Sequence, residues 1–262
     1  MTKAVFFDID GTLISFKTHR MPESTRRALH LLRRAGIRVF AATGRSPNDT
    51  AFLKEYFDFD GIVAFNGQYC FDKEGVIYQK PLPDDALRDA VPYMKENNIA
   101  CCFETVERNV FNRVDDRVRR LLDLVGMSDV EPVCGDVSAW DGAVFQLTAY
   151  VTEEEEAGLM RCLPGCKALR WYPTFINVTG ADGGKPVGIA RVAERYGFSG
   201  DDVMVFGDGG NDIDMLRSAG IGIAMGNAPD EVKAAARYVT DDVDADGIYK
   251  ALRHFGVIRE EA

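Results

Sequence analysis

Hydrophobic residues fall into two rhythms along the chain: short unbroken apolar runs, and longer stretches with an apolar residue every three or four positions. Ala4-Val5-Phe6-Phe7 is a run of the first kind, rich in β-branched and aromatic side chains, and reads as a strand buried on both faces of a parallel sheet. Thr25, Ala28, Leu29 and Leu32 then recur at helical spacing and predict a helix over Pro22 to Ala35, with Gly36 placed to end it. Ile37 to Ala42 reads as a second buried strand. Ser46-Pro47 supplies an N-cap and first-turn proline for another helix, and Ile62 to Phe65 forms a third strand closed by Asn66-Gly67. Strand, helix, strand, helix, strand is the opening of a doubly wound, Rossmann-like parallel sheet.

The rhythm changes between Leu82 and Gly180. Helices are expected near Asp84–Asn97, Val114–Val125 and Glu153–Arg161. Strands are expected near Ile99–Thr105, Asn109–Asn112, Val144–Val151, Lys167–Trp171 and Phe175–Val178. This order suits an α+β unit with an antiparallel sheet. Pro81 and Pro83 mark its entry, and Gly180-Ala181-Asp182-Gly183-Gly184 its exit. The parallel rhythm resumes with a helix over Pro186 to Tyr196, a strand Val203–Phe206, a helix to Ser218 and a strand Ile221–Ala224. A helix over Pro229 to Ala236, the pair Tyr238-Val239 and a last helix ending near Phe255 complete it. The expected fold class is therefore α/β, a core of residues 1–81 and 184–262 interrupted by an α+β cap of residues 82–183.

Polar residues collect where the core strands stop. The first strand ends in Asp8-Ile9-Asp10-Gly11-Thr12, the second in Thr43-Gly44-Arg45, and the strand at 203–206 in Gly207-Asp208-Gly209-Gly210-Asn211-Asp212; Lys185 precedes a core helix. Carboxyl ends of strands are where open α/β sheets bind ligands. Alternation along a strand lets Asp8 and Asp10 point the same way, and paired carboxylates call for a cation or a shared proton. An all-oxygen donor set suits a hard ion, Mg²⁺ first, and Mg²⁺ in turn suits a phosphate ester. Lys185, Thr43, Arg45 and the loop N–H groups could hold its oxygens.

Composition narrows the partners. A formal charge of −10 argues against nucleic acid or an anionic membrane. No apolar run is long enough to cross a bilayer, and nothing resembles a signal peptide. The six cysteines form no C-x-x-C pair and the three histidines are scattered, so reduced thiols in a cytoplasmic protein are expected and a zinc cluster is not. Oligomeric state cannot be read from the sequence.

The four polar segments, in this order, resemble the motifs of the haloacid-dehalogenase-like hydrolase superfamily. The point of insertion and Asn66-Gly67 resemble its Cof-type branch, which carries a large α/β cap. The resemblance implies a Mg²⁺-dependent phosphatase acting on a small phosphorylated metabolite, a sugar phosphate foremost, through an aspartyl phosphate. It gives Asp8 as nucleophile and Asp10 as acid and base. Thr43 and Lys185 would hold the phosphoryl group, helped by Gly44, Arg45 and Asn211. Asp8, the Asp10 carbonyl, Asp208 and Asp212 would surround the metal. A phosphotransferase or mutase using the same intermediate, or a non-catalytic phosphate-ester sensor, are the alternatives. Humbler roles also stay open: Thr43 as a turn cap, Arg45 in a surface ion pair, Lys185 solvated, Asp212 as an N-cap and Asn211 as a turn residue.

Overall fold

The computed structural model describes residues 2–137 and 142–259. Residue 1 and residues 260–262 of the expected core, and 138–141 of the expected cap, lie outside the described residues. The chain runs β1 (Ala4–Phe7), α1 (Glu23–Arg34), β2 (Arg38–Ala42), β3 (Gly61–Ala64), β4 (Tyr69–Asp72) and β5 (Gly75–Gln79). It continues through α2 (Asp84–Glu96), β6 (Cys101–Glu104), β7 (Asn109–Phe111), α3 (Asp116–Leu124), β8 (Gln146–Ala149), α4 (Glu153–Met160), β9 (Cys166–Tyr172) and β10 (Phe175–Gly180). It closes with α5 (Lys185–Tyr196), β11 (Val203–Gly207), α6 (Ile213–Ser218), β12 (Ile221–Ala224), α7 (Asp230–Ala235), β13 (Tyr238–Val239) and α8 (Gly247–His254).

Eight strands form the first sheet in the order β13-β12-β11-β1-β2-β3-β4-β5. The pairs from β13 to β3 are parallel, and β3-β4 and β4-β5 are antiparallel. β1 is central because all four of its residues are apolar and both faces are covered. Val5 and Phe7 pack with α1 and α8 residues such as Leu29 and Leu252, and Ala4 and Phe6 with Ile189 and Leu216. The chain leaves β1 toward β2 and β3, then returns to β11 on the other side. The carboxyl ends of β1 and β11 therefore meet at a topological switch point, where an open α/β sheet leaves a crevice.

The second sheet is antiparallel throughout, in the order β7-β6-β8-β10-β9. α2 and α4 cover one face through Leu87, Met94 and Leu159. α3 covers only part of the other, over Cys102, Phe111, Tyr150 and Phe175. The remainder of that face is polar and turned toward the first sheet. Glu104, Gln146, Thr148 and Asn177 stand there, all buried.

Two elements depart from the expected reading. The segment after Ser46-Pro47 winds as a 3-10 helix over Asn48–Glu55. The Thr50 hydroxyl donates to the Pro47 carbonyl at 2.7 Å, a local bond that suits the tighter turn. The β4-β5 hairpin was not anticipated and extends the first sheet at its edge. Among the described residues no helix is long and apolar enough to cross a membrane.

Candidate active site

Asp8 and Asp10 follow β1 directly, Thr43 follows β2, and Asp208 follows β11, so the sheet register alone brings them together. The turn after β1 needs glycine. Gly11 has φ +86°, and a Cβ there would lie 2.1 Å from Asp208 Oδ2. Asp208 is held from two further sides. Thr12 Oγ1 donates to its Oδ1 at 3.0 Å and Asn227 Nδ2 to its Oδ2 at 3.2 Å, while Asn227 also donates to the Gly11 carbonyl.

Lys185 opens α5 and is wholly buried. A cation at a helix N-terminus opposes the helix dipole, and here two aspartates explain it. Its Nζ lies 2.5 Å from Asp8 Oδ1 and 2.6 Å from Asp212 Oδ1. Asp212 turns its other oxygen to the backbone N–H groups of Asp208 and Gly209, both at 3.0 Å. It therefore positions Lys185 and shapes the turn that carries Asp208.

Charge does not balance in this cluster. Asp8, Asp208 and Asp212 each offer an oxygen within 4.8 Å of the others, against the single ammonium of Lys185. Burial, opposed by Lys185 and reinforced by Asp212 and Asp10, pushes the Asp8 carboxyl up to about 7. Burial, with Asp8 and Asp212 adding to it, raises Asp208 well above the usual carboxylate range. For Lys185 burial works against the charge, but Asp212 and Asp8 outweigh it and the ammonium is held more firmly than usual. Oxygen donors alone, crowded and short of positive charge, fit a hard divalent cation.

Asp10 stands apart from that cluster. The Arg45 guanidinium grips it through both oxygens, Nε to Oδ2 at 2.8 Å and Nη2 to Oδ1 at 2.6 Å. Arg45 also donates to the Val125 carbonyl just beyond α3 at 3.1 Å, and its guanidinium lies over the Phe52 ring. Thr43 Oγ1 accepts the Arg45 N–H at 3.1 Å and remains on the wall of the cavity. Gly44 sends its carbonyl to Gln146 Nε2, and Asn211 Nδ2 donates to Asn66 Oδ1, each at 2.8 Å.

A cavity of about 350 Å³ lies over these residues. Its floor is Asp8, Asp10, Thr43, Gly44, Arg45, Asp208 and Asn211, the predicted residues other than Lys185 and Asp212. Those two sit directly beneath. The roof belongs to the second sheet and α3.

The sequence profile of haloacid dehalogenase-like hydrolases matches residues 5–252. The chain belongs to that family. This haloacid dehalogenase-like hydrolase is 34% identical over 258 residues to "Putative phosphatase YkrA" of Bacillus subtilis (strain 168), covering 98% of this chain and 99% of the relative. It is 27% identical, over 97% of this chain and 95% of the other, to the 5-amino-6-(5-phospho-D-ribitylamino)uracil phosphatase YcsE of the same organism. Among solved structures it superimposes on the HAD subclass IIB sugar phosphatase BT4131 with a TM-score of 0.91 and 40% identity, covering 98% of this chain and 100% of that one. For BT1666 from Bacteroides thetaiotaomicron, a phosphatase of the haloalkanoate superfamily, the TM-score is 0.89 and the identity 38%, over 98% and 96% of the two chains.

Several residues of this hydrolase's site escaped sequence reasoning. Thr12 and Asn227 orient Asp208, and Asn227 follows β12 just as Asp208 follows β11, so the strand-end rule could have found it. Asn66 joins the two sheets, donating to Gln146 Oε1 at 2.7 Å and accepting from Asn211. Arg170 pairs with Glu156 and donates to the carbonyls of Val151 and Pro173; it braces the second sheet. Trp171 and Tyr172 line the cavity while packing on Phe175.

Proposed function

We propose that this enzyme is a Mg²⁺-dependent phosphatase that hydrolyses a small sugar phosphate through an aspartyl phosphate on Asp8, with residues 82–183 serving as a cap over the site. The observation that carries this reading is the pairing of Asp8 with the buried ammonium of Lys185 on the floor of a roofed cavity. Lys185 opposes the burial that raises the Asp8 carboxyl and aims it through one oxygen. Asp8 Oδ2 takes no hydrogen bond from any described residue and is free to attack phosphorus.

Asp8 forms the new P–O bond as the P–O bond to the leaving group breaks, and Asp10 gives its proton to the departing oxygen. Water then attacks the same phosphorus, Asp10 takes its proton, and phosphate leaves Asp8 restored. The bidentate grip of Arg45 holds the Asp10 carboxyl in one orientation through both steps. In this reading Thr43, Gly44 and Asn211 steady the phosphoryl oxygens from the cavity floor and Lys185 does so from beneath it. Asp8, the Asp10 carbonyl and Asp208 would hold Mg²⁺, with Asp212 behind them. The ion supplies positive charge against which two anionic groups can approach.

The Asp8→Asn variant tests the reading. It keeps shape but lacks a nucleophilic oxygen, so phosphate release from an aryl phosphate with Mg²⁺ should fall by about 1,000-fold or more. Its melting temperature should stay near that of the native protein. A folded variant with near-native turnover would remove Asp8 from the mechanism. With a sugar monophosphate, free phosphate should appear in step with substrate loss. A positional isomer formed without free phosphate would make the enzyme a mutase.

A further inference from the structure

We infer that Glu104 is the cap's specificity-determining residue, reading the leaving group as an uncharged, hydroxyl-rich molecule by accepting hydrogen bonds from its hydroxyls. This rests on the phosphatase reading above and adds the chemistry of what the phosphate is attached to.

Glu104 ends β6 on the polar part of the cap sheet and is 6% exposed. It lines the same cavity whose floor holds Asp8 and Asp10. Each of its oxygens is oriented by the cap itself: the Thr148 hydroxyl donates to Oε1, and Gln146 Nε2 donates to Oε2 at 3.0 Å. Thr148 is steadied by Asn177 Nδ2 at 2.8 Å, and Asn177 by the indole N–H of Trp171 at 3.1 Å. Gln146 also donates to the carbonyl of Gly44 in the phosphate-facing loop. The carboxyl is thus fixed relative to the reacting phosphorus through one amide.

Two features separate this group from an ordinary buried carboxylate. Among the described residues no cation pairs with it, although an uncompensated buried charge is costly. The groups that face it are themselves acidic or neutral: Asp49 from the 3-10 helix, the thiols of Cys101 and Cys102, and Tyr150. Burial, with Asp49 adding to it, raises the Glu104 carboxyl to about 8, so it is mostly protonated at neutral pH. Thr148 and Gln146 use one acceptor position on each oxygen, and a neutral carboxyl keeps acceptor capacity beyond these together with one O–H to donate. That capacity lies on the wall of the cavity, which Glu104 lines. Beside it Asn109 gives its amide to Asp49 at 2.8 Å and leaves its buried Oδ1 unpaired, a second acceptor on the same wall. A wall of acceptors without a cation receives hydroxyls and repels a second phosphate or carboxylate.

The test compares kcat/KM for p-nitrophenyl phosphate with that for hexose and pentose monophosphates, in the native enzyme, Glu104→Gln and Glu104→Met, all with Mg²⁺. Gln reproduces the neutral carboxyl in shape, whereas Met fills the space without an acceptor. The native enzyme should prefer at least one sugar phosphate over the aryl ester. Glu104→Met should lose about tenfold to a hundredfold on that sugar phosphate and under about threefold on the aryl ester, with Gln restoring most of the loss. Equal losses on both substrates, or no loss on either, would overturn the inference. So would a native preference for the aryl ester, which would leave the phosphatase reading intact. Should the Met variant not fold, deoxy analogues of the preferred sugar phosphate decide with the native enzyme. One missing hydroxyl must cost about tenfold or more, and a series in which none costs more than about threefold would refute the role. A native enzyme that releases phosphate from neither class would instead bring down the phosphatase reading, and this inference with it.

Discussion

Asp208 brings a charge into the interior that its neighbours do not offset. Thr12 and Asn227 each donate a hydrogen bond to it, but Lys185 is already shared between Asp8 and Asp212. The cluster therefore suits a cation, and suits it at the expense of the metal-free fold. Asp208→Asn should raise the melting temperature in chelator, by the equivalent of about 1 kcal/mol or more, because it removes a carboxyl that ionises freely in the unfolded chain and that the metal-free fold holds against ionisation. In millimolar Mg²⁺ the order should reverse, since the native protein gains binding free energy that the variant lacks. Thermal unfolding of both proteins in each buffer checks this, and a variant that is the less stable one in chelator would refute it. Asp8, Asp10, Thr43, Lys185 and Asp208 were legible in the sequence because each sits at a strand end or helix start, which local pattern marks. The partners of Arg45 were not legible. Its grip on Asp10 spans 35 positions and that on Val125 spans 80, and only the folded chain brings them within reach. Glu104 gave no signal for the same reason, since an acidic residue closing a cap strand reads as solvated until the polar face is seen turned inward.

Among the elements, the turn after β3 carries strain that only the assembled molecule explains. Phe65 and Asn66 both have positive φ, +49° and +51°, where residues with a Cβ are seldom found. Asn66 tolerates this conformation better than most residues and uses it to aim its amide at Gln146 and Asn211. Gly67 then passes so close to α5 that a Cβ would lie 2.2 Å from the Gly184 carbonyl. Replacing Asn66 by Ala should cost more stability than replacing it by Gly, by about 1 kcal/mol, the reverse of the usual order in regular structure. Denaturant unfolding of the two variants measures it, and an Ala variant at least as stable as Gly would show that the turn relaxes. Asn-Gly announced this turn in the sequence. What followed was not announced: β4 and β5 lie at the sheet edge with Val76 half exposed, so burial leaves little apolar contrast there. The 3-10 stretch after Pro47 was hidden in a similar way, because its pattern of apolar positions also fits an α-helix.

For the whole molecule, the two-layer division was visible as a change of rhythm near Leu82 and its return at Lys185. The facing of the layers was not, because it depends on cap strands whose inward residues are polar. Electrostatics at this scale also has a consequence for binding. The chain carries a formal charge of −10, and its two cations nearest the chemistry, Lys185 and Arg45, are already paired with aspartates. A phosphate monoester is itself an anion, so its approach is opposed by the long-range field, and attraction begins only within the cavity. Salt screens that field over roughly 10 Å at 0.1 M but reaches a buried pair much less. With Mg²⁺ saturating, kcat/KM should therefore rise about twofold to fivefold between roughly 20 and 200 mM monovalent salt, while kcat stays nearly constant. Steady-state kinetics over that range decides the matter. If kcat/KM instead falls as salt rises, the bound cation and the loops around it have reversed the field well outside the cavity, and the acidic surface does not govern encounter.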